Sequence, residues 1–250
     1  MTISQHGLGG LAWPDVPHRP TVLVPVGSTE QHGPHLPLDT DAAIATAVAD
    51  AVALKVKGQV VVAPAVSYGS SGEHQFFAGT VSIGSEVLRL LIVELVRSLS
   101  TWAGRIVLIN AHGGNVSALS EAVLQLNAER HNVAWLPCLV PGADLHAGRT
   151  ETSLMLHLNP AAVRLERSVA GDLRPLDELL PELLTGGVAA VSSSGVLGDP
   201  SGANASEGVR LFDLMVDDVA RRIAGAALGR NGMLAVNERQ AMGWTPIKPR

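Results

Sequence analysis

The sequence predicts an α/β protein with a mostly parallel central sheet and helices on both of its faces. Two observations carry this expectation. Short, almost wholly apolar runs alternate with longer runs of helical periodicity, and a polar cluster follows each of four apolar runs. Strands buried on both faces read as unbroken apolar stretches, and their alternation with helices argues for parallel crossovers. In such sheets ligands gather beyond the carboxyl ends of the strands, so clusters in that position argue for one shared site.

Taken in order, residues 1–20 hold three prolines and read as an irregular arm, with Trp13 as an anchor for a sheet edge or a neighbouring subunit. Residues 21–26 form the first strand, and 41–56 a helix whose Ala45, Val48, Ala49 and Val52 suit close packing on a sheet. Residues 60–66 form the next strand, weakened near its end by Pro64. The Gly/Ser-rich loop 67–80 holds the one tyrosine and two of the three phenylalanines, and loops of such length and content tend to line sites. A helix over 85–103 places Val87, Leu90, Leu91, Leu95, Val96 and Leu99 on its apolar face, with Arg89 and Arg97 outside. A strand at 105–111, a helix from about 116 to 131 with Asn115 as its cap, a strand at 133–140 and a short helix through Leu158 follow. Residues 159–205 are Pro- and Gly-rich, with a short helix near 176–184. The final helix, 206–228, carries Val209, Phe212, Val216, Val219 and Ile223 at helical spacing. A loose tail is expected over 229–250, with Trp244 as its anchor. No internal repeat is visible, so residues 1–250 read as a single domain.

A chain of 250 residues, 46% hydrophobic, suffices for one sizeable core. A net charge of -5 with 3% aromatics argues against a nucleic-acid surface or a base-stacking platform. The single cysteine, Cys138, excludes an internal disulfide, fits a reducing compartment and reads as a buried, inert thiol. No leader pattern and no run of about 18 apolar residues is present, so the expected location is the cytoplasm, without membrane contact.

The densest cluster lies between the first strand and helix, where Glu30, His32, His35, Asp39 and Asp41 share a turn with two prolines. Carboxylates and imidazoles are the oxygen and nitrogen ligands that Zn, Mn and Fe prefer. In an extended segment Glu30 and His32 point to one side. Alone, this cluster also fits a polar loop with Asp39 or Asp41 as a helix cap. His112 and Glu151, further along, complete a set of three carboxylates and two imidazoles. Two divalent ions bridged by one carboxylate need about this many ligands and leave a place for water, which suits amide hydrolysis. Asp41, at the helix start, is the bridging candidate. Gly113-Gly114 allows close backbone approach, although a tight turn explains the glycines equally well. Glu151 also fits the positive end of a helix capped by Thr150 or Thr152. Glu73 and His74 read as supporting or substrate-facing residues. No GxGxxG, GxxxxGK[ST] or GxSxG pattern occurs, which leaves dinucleotide, P-loop and serine-hydrolase readings without support.

Together, Thr29-Glu30-Gln31-His32-Gly33-Pro34-His35-Leu36-Pro37-Leu38-Asp39-Thr40-Asp41, Gly72-Glu73-His74 with Phe77-Ala78-Gly79-Thr80, Asn110-Ala111-His112-Gly113-Gly114-Asn115, and His146-Ala147-Gly148 with Glu151-Thr152-Ser153 resemble the creatininase family of metal-dependent amidohydrolases. The resemblance covers roughly residues 20–210. It implies a three-layer α/β/α fold, a homo-oligomer that is commonly a hexamer, and two divalent ions (Zn, Fe or Mn) per subunit. The implied ligands are Glu30, His32, Asp41 and His112, with Asp41 bridging. Creatininase has a glutamate two positions after the histidine of the third motif; here that place is Gly114, and the fifth ligand is assigned to Glu151. The stretch Ser194-Gly195-Val196-Leu197-Gly198-Asp199-Pro200-Ser201-Gly202-Ala203 looks closest to the branch associated with mycofactocin biosynthesis. That branch implies a peptidase releasing the modified C-terminal dipeptide of a precursor peptide, with His146 as general acid/base. Glu73 is the candidate for a second catalytic group, and His35, His74, Tyr68 and Asn115 are the substrate-binding candidates. Hydrolysis of a cyclic amide or ring formamide is the alternative within the family. A metal-stabilised binding protein without turnover is the alternative outside it.

Overall fold

The computed structural model describes residues 6–235. Its main sheet has four strands, β1 (Thr21–Val26), β2 (Val60–Val62), β3 (Arg105–Asn110) and β4 (Val133–Pro137), in the order β2-β1-β3-β4. All three pairings are parallel, with Val22 opposite both Val61 and Ile106, and Leu108 opposite Trp135. The helices are α1 (Thr40–Lys55), α2 (Ser85–Leu99), α3 (Val116–Ala128), α4 (Arg149–Leu158), α5 (Leu176–Gly186), α6 (Val188–Val191) and α7 (Ala205–Gly225).

Strand order decides which face each helix covers. The chain steps one way from β1 to β2 and back the other way to β3 and β4. Right-handed crossovers therefore put α1 on one face and α2 and α3 on the other. Helices α4 and α7 pack against α1, while α2 and α3 pack on each other, which gives three layers, α/β/α. Leu23, Leu108, Ile109, Ile92, Leu119, Leu126, Val48 and Met155 are wholly buried between them.

Several local expectations change. The second strand stops at Val62, before Pro64, whose ring cannot donate to a ladder. In α2 the inward face is Leu88, Ile92, Val93, Val96 and Leu99, whereas Val87, Leu90 and Leu91 are exposed and Leu95 is only partly covered. Helix α7 buries Val216, Val219 and Ile223, but Val209 is exposed and the helix ends at Gly225. The residues after it form a short antiparallel hairpin of β5 (Ala227–Leu228) and β6 (Leu234–Ala235). Met233 and Leu234 are buried, and Trp135 Nε1 donates to the Asn231 carbonyl at 2.9 Å, so 229–235 pack onto the fold. Trp244 lies outside the described residues. Trp13 is 87% exposed rather than anchored against the described residues. Cys138 packs partly against the core, and burial pushes its thiol up, away from reactivity. Among the described residues no helix is long and apolar enough to cross a membrane.

Candidate metal centre

The polar clusters converge because each leaves the carboxyl end of a neighbouring strand. At Gly27, just past β1, a Cβ would lie 2.4 Å from the Ala42 nitrogen. Only glycine lets the strand exit pass so close to the first turn of α1, and this closeness brings Asp41 to the loop. Ser28 Oγ donates to Asp41 Oδ2 at 2.7 Å. The loop folds back on itself, with the Glu30 N–H donating to the Leu38 carbonyl at 3.0 Å. The loop after β2 is tied to it by Thr29 Oγ1 donating to the Ser67 carbonyl at 2.8 Å and by the Val81 N–H donating to the Thr29 carbonyl at 2.8 Å. From β4, residue His146 reaches the Gln31 carbonyl through Nε2 at 2.8 Å.

Asp41 stands between two imidazoles: Oδ1 is 3.2 Å from His32 Nε2 and Oδ2 is 3.3 Å from His112 Nδ1. Glu30 is fully buried, with Oε2 3.2 Å from His112 Nε2 and Oε1 3.4 Å from His74 Nε2 and 3.8 Å from His146 Nδ1. Glu151 Oε2 lies 3.8 Å from His32 Nε2 and Glu73 Oε1 3.6 Å from His112 Nε2. The rings of His32 and His74 flank that of His146, with centroids 4.3 and 4.4 Å away.

Two imidazoles have their outer nitrogen held by a backbone carbonyl, which can only accept. His32 Nδ1 donates to the Glu30 carbonyl at 3.1 Å and His112 Nε2 to the Ser70 carbonyl at 3.0 Å. Each then offers its other nitrogen to Asp41, the arrangement by which second partners orient metal-binding histidines.

Charges and burial pull these groups apart. Burial alone would raise the Glu30 carboxyl, but the facing His112 and His74 outweigh it and hold the group at about 2. Asp41 is likewise held well below the usual range, burial being overcome by His32 and His112. Burial would lower His32, yet Asp41 lifts it to about 10; Glu30 and Asp41 lift His112 well above its usual value against the same cost. Burial dominates elsewhere: it drives His74 down to about 4, takes His146 well below its ordinary value, and lifts Glu151 to about 7.

Neither oxygen of Glu30 has a hydrogen-bond partner. A fully buried, ionised carboxylate left this way costs far more than a neutral group unless a cation meets it. The chemistry of the donors around it fits such a cation. Ligand atoms of Glu30, His32 and Asp41 lie within 4.8 Å of one another, as do those of His32, His146 and Glu151 and those of Glu30, His74 and His146.

The structure thus brings Glu30, His32, Asp41, His112, Glu151, His146, His74 and Glu73 together. Tyr68 is 53% exposed on the loop after β2. His35 and Asn115 are both buried. His35 is buried with Nε2 against Thr152 Oγ1 at 2.9 Å. Asn115 caps nothing with its side chain; it accepts from the Ser70 N–H and donates to the Gly27 carbonyl, both at 2.9 Å, and so joins two loops. Asp39 occupies the cap position of α1 without a side-chain bond to the helix. At Gly114 a Cβ would stand 2.2 Å from the Ser70 carbonyl oxygen and 2.6 Å from Glu73 Oε1, so this place has no room for a side chain. Two buried partners were not anticipated, Ser28 and Gln31; Ser28 stands just before the first motif and Gln31 inside it, but their bonds reach residues as far as 13 and 164 positions away.

The family model described as creatininase, creatinine amidohydrolase, matches residues 10–223. A curated mycofactocin precursor peptide peptidase from Mycobacterium tuberculosis (strain CDC 1551 / Oshkosh) is 55% identical over 223 residues, covering 86% of this chain and 89% of its own. The chain belongs to the creatininase family. Solved creatininases agree in fold. One described as creatininase Mn superposes with a TM-score of 0.72 at 26% identity, covering 87% of this chain and 97% of its own. A mutant creatininase described as Zn-Zn type gives 0.71 at 26% identity, with 87% and 96% covered. The creatininase three-layer fold and the amidohydrolase character of the family therefore extend to this chain.

Proposed function

We propose that this chain is a metal-dependent peptidase that hydrolyses an amide bond to release the modified C-terminal dipeptide of the mycofactocin precursor peptide. The observation that carries the substrate is the 55% identity to curated mycofactocin precursor peptide peptidases over 86% of the chain. Support for a metal comes from Glu30, buried, ionised and without a hydrogen bond among imidazoles and carboxylates. Glu30, His32, Asp41, His112 and Glu151 would hold two divalent ions (Zn, Fe or Mn), with Asp41 shared. Bound there, such ions polarise a carbonyl and lower the pKa of water.

The protein's own groups supply the rest. His146, at the centre of the cluster and lowered by burial, takes a proton from the attacking water and passes it to the leaving amine. Glu73, raised by burial and set at the edge of the cluster, is the second acid/base candidate. A cleft of about 440 Å³, lined by Gly171, Leu173, Val191, Ser193 and Ser194, borders the segment that carries Gly195 and gives room for a peptide tail. We further propose a homo-oligomer, a hexamer or related symmetric assembly, which the exposed Trp13, Val87, Leu90 and Leu91 support. The lone Cys138 fits a reducing compartment such as the cytoplasm.

The test is mass spectrometry of products after incubating metal-loaded protein with the modified precursor peptide, beside a chelated control. Release of the C-terminal dipeptide only without chelator is the expected result. An intact peptide in the presence of bound metal would overturn the substrate.

A further inference from the structure

We infer that Gln31 is a positioning residue that fixes which end of two neighbouring imidazoles faces Glu30: the N–H end of His74 and the lone-pair end of His146. The inference follows from matching donors to acceptors in the hydrogen-bond network. Gln31 is buried, and its Oε1 lies 2.8 Å from the Gly33 N–H. A backbone N–H only donates, so this atom is the amide oxygen and the other is the NH2 group. That group has two hydrogens and three neighbours: the Gly195 carbonyl at 3.0 Å, His74 Nδ1 at 2.8 Å and His146 Nε2 at 3.1 Å. His146 Nε2 is also 2.8 Å from the Gln31 backbone carbonyl, so it must donate there and cannot accept from the amide. One amide hydrogen therefore goes to Gly195 and the other to His74 Nδ1.

His74 then carries its hydrogen on Nε2, aimed at Glu30 Oε1 from 3.4 Å, and cannot be an imidazolium while Nδ1 accepts. His146 carries its hydrogen on Nε2, towards the Gln31 carbonyl, and leaves Nδ1 bare 3.8 Å from the same Glu30 oxygen. One residue thus orients both rings, His74 by its side chain and His146 by its backbone. The later segment locks it in place. Gly195 has φ +81°, a Cβ there would stand 1.9 Å from Gln31 Oε1, and Leu197 exchanges backbone hydrogen bonds with His146. His74 is by this account a hydrogen-bond donor and not an ion ligand, suited to a carbonyl oxygen, and His146 Nδ1 is the free base. The kinetic consequence rests on the proposed peptidase reading; the placement of the hydrogens does not.

Imidazole nitrogen NMR on histidine-labelled, zinc-loaded, full-length protein reads the placement directly. Both rings should carry hydrogen on Nε2 alone, with zinc on neither nitrogen of His74. Gln31→Glu and Gln31→Met each remove the amide donor, so His74 should gain the Nδ1–H form while His146, held by the backbone, stays as it was. With the precursor peptide, kcat should fall about 10- to 100-fold with KM little changed. Zinc bound to His74, an Nδ1–H ring in the unaltered protein, or a His74 that keeps its form in both variants would overturn the inference. A protein that gives the expected spectra but leaves the peptide uncut would overturn the substrate proposal instead.

Discussion

Ser28 gives its hydroxyl hydrogen to Asp41 Oδ2 across 2.7 Å, on a carboxylate whose oxygens already face His32 and His112. Partners of this kind hold a ligand's orientation and charge. Ser28→Ala should weaken zinc binding about 10- to 100-fold in titration calorimetry while leaving the circular dichroism spectrum unchanged. Unaltered affinity would show that the carboxylate is oriented without Ser28.

Removing the carboxylate itself is the stronger change. Asp41→Ala leaves His32 and His112 without their shared partner. Bound metal, measured by elemental analysis, should drop and turnover should vanish. Full turnover in this variant would sink the ligand assignment.

Metal and protons compete for the same nitrogens. His32 is raised from 6.5 to about 10, chiefly by Asp41 working against burial, and His112 is raised as well. A raised folded-state value stabilises fully below the unfolded value, and that contribution is lost as pH climbs through the folded one. The melting temperature of metal-stripped protein should therefore fall from pH 6.5 towards 10. Zinc affinity should rise with pH as the imidazoles release protons. A stripped protein whose stability rises or stays level across that window would contradict the sign.

Gly195→Ala tests the contact behind the imidazoles. Its φ of +81° strains any other residue, and the new methyl would strike Gln31. A loss of about 1–3 kcal/mol is expected by chemical denaturation, with activity reduced further than stability accounts for. Wild-type kinetics in a folded variant would argue that the position of Gln31 does not matter to turnover.

What the sequence made legible follows from how local each signal is. Glu30, His32 and Asp41 stood out because three ligand types crowd one short loop, and the parallel sheet because the middles of β1 and β3 are unbroken apolar runs. The face of α2 was misread for the opposite reason. Its sequence is apolar at so many positions that the helical phase is ambiguous, and only packing on α3 and the sheet selects Leu88, Ile92 and Val93 over Val87, Leu90 and Leu91. The bonds of His35 to Thr152 and of Asn115 to Ser70 span 117 and 45 positions, so no local pattern announces them. Gln31 was hidden by the same distance, since its contacts at His74, His146 and Gly195 exist only in three dimensions.

The placement of β1 in the interior of the sheet, between β2 and β3, has a consequence for synthesis. A chain emerging from the ribosome N-terminus first presents this apolar strand with one edge open until residues 105–110 arrive. The clamp on Gln31 comes later still, with Gly195. Glu30 is among the first of the clustered residues made, yet the segment that holds its neighbour Gln31 arrives only when about four-fifths of the chain exists, so the cluster forms late in synthesis.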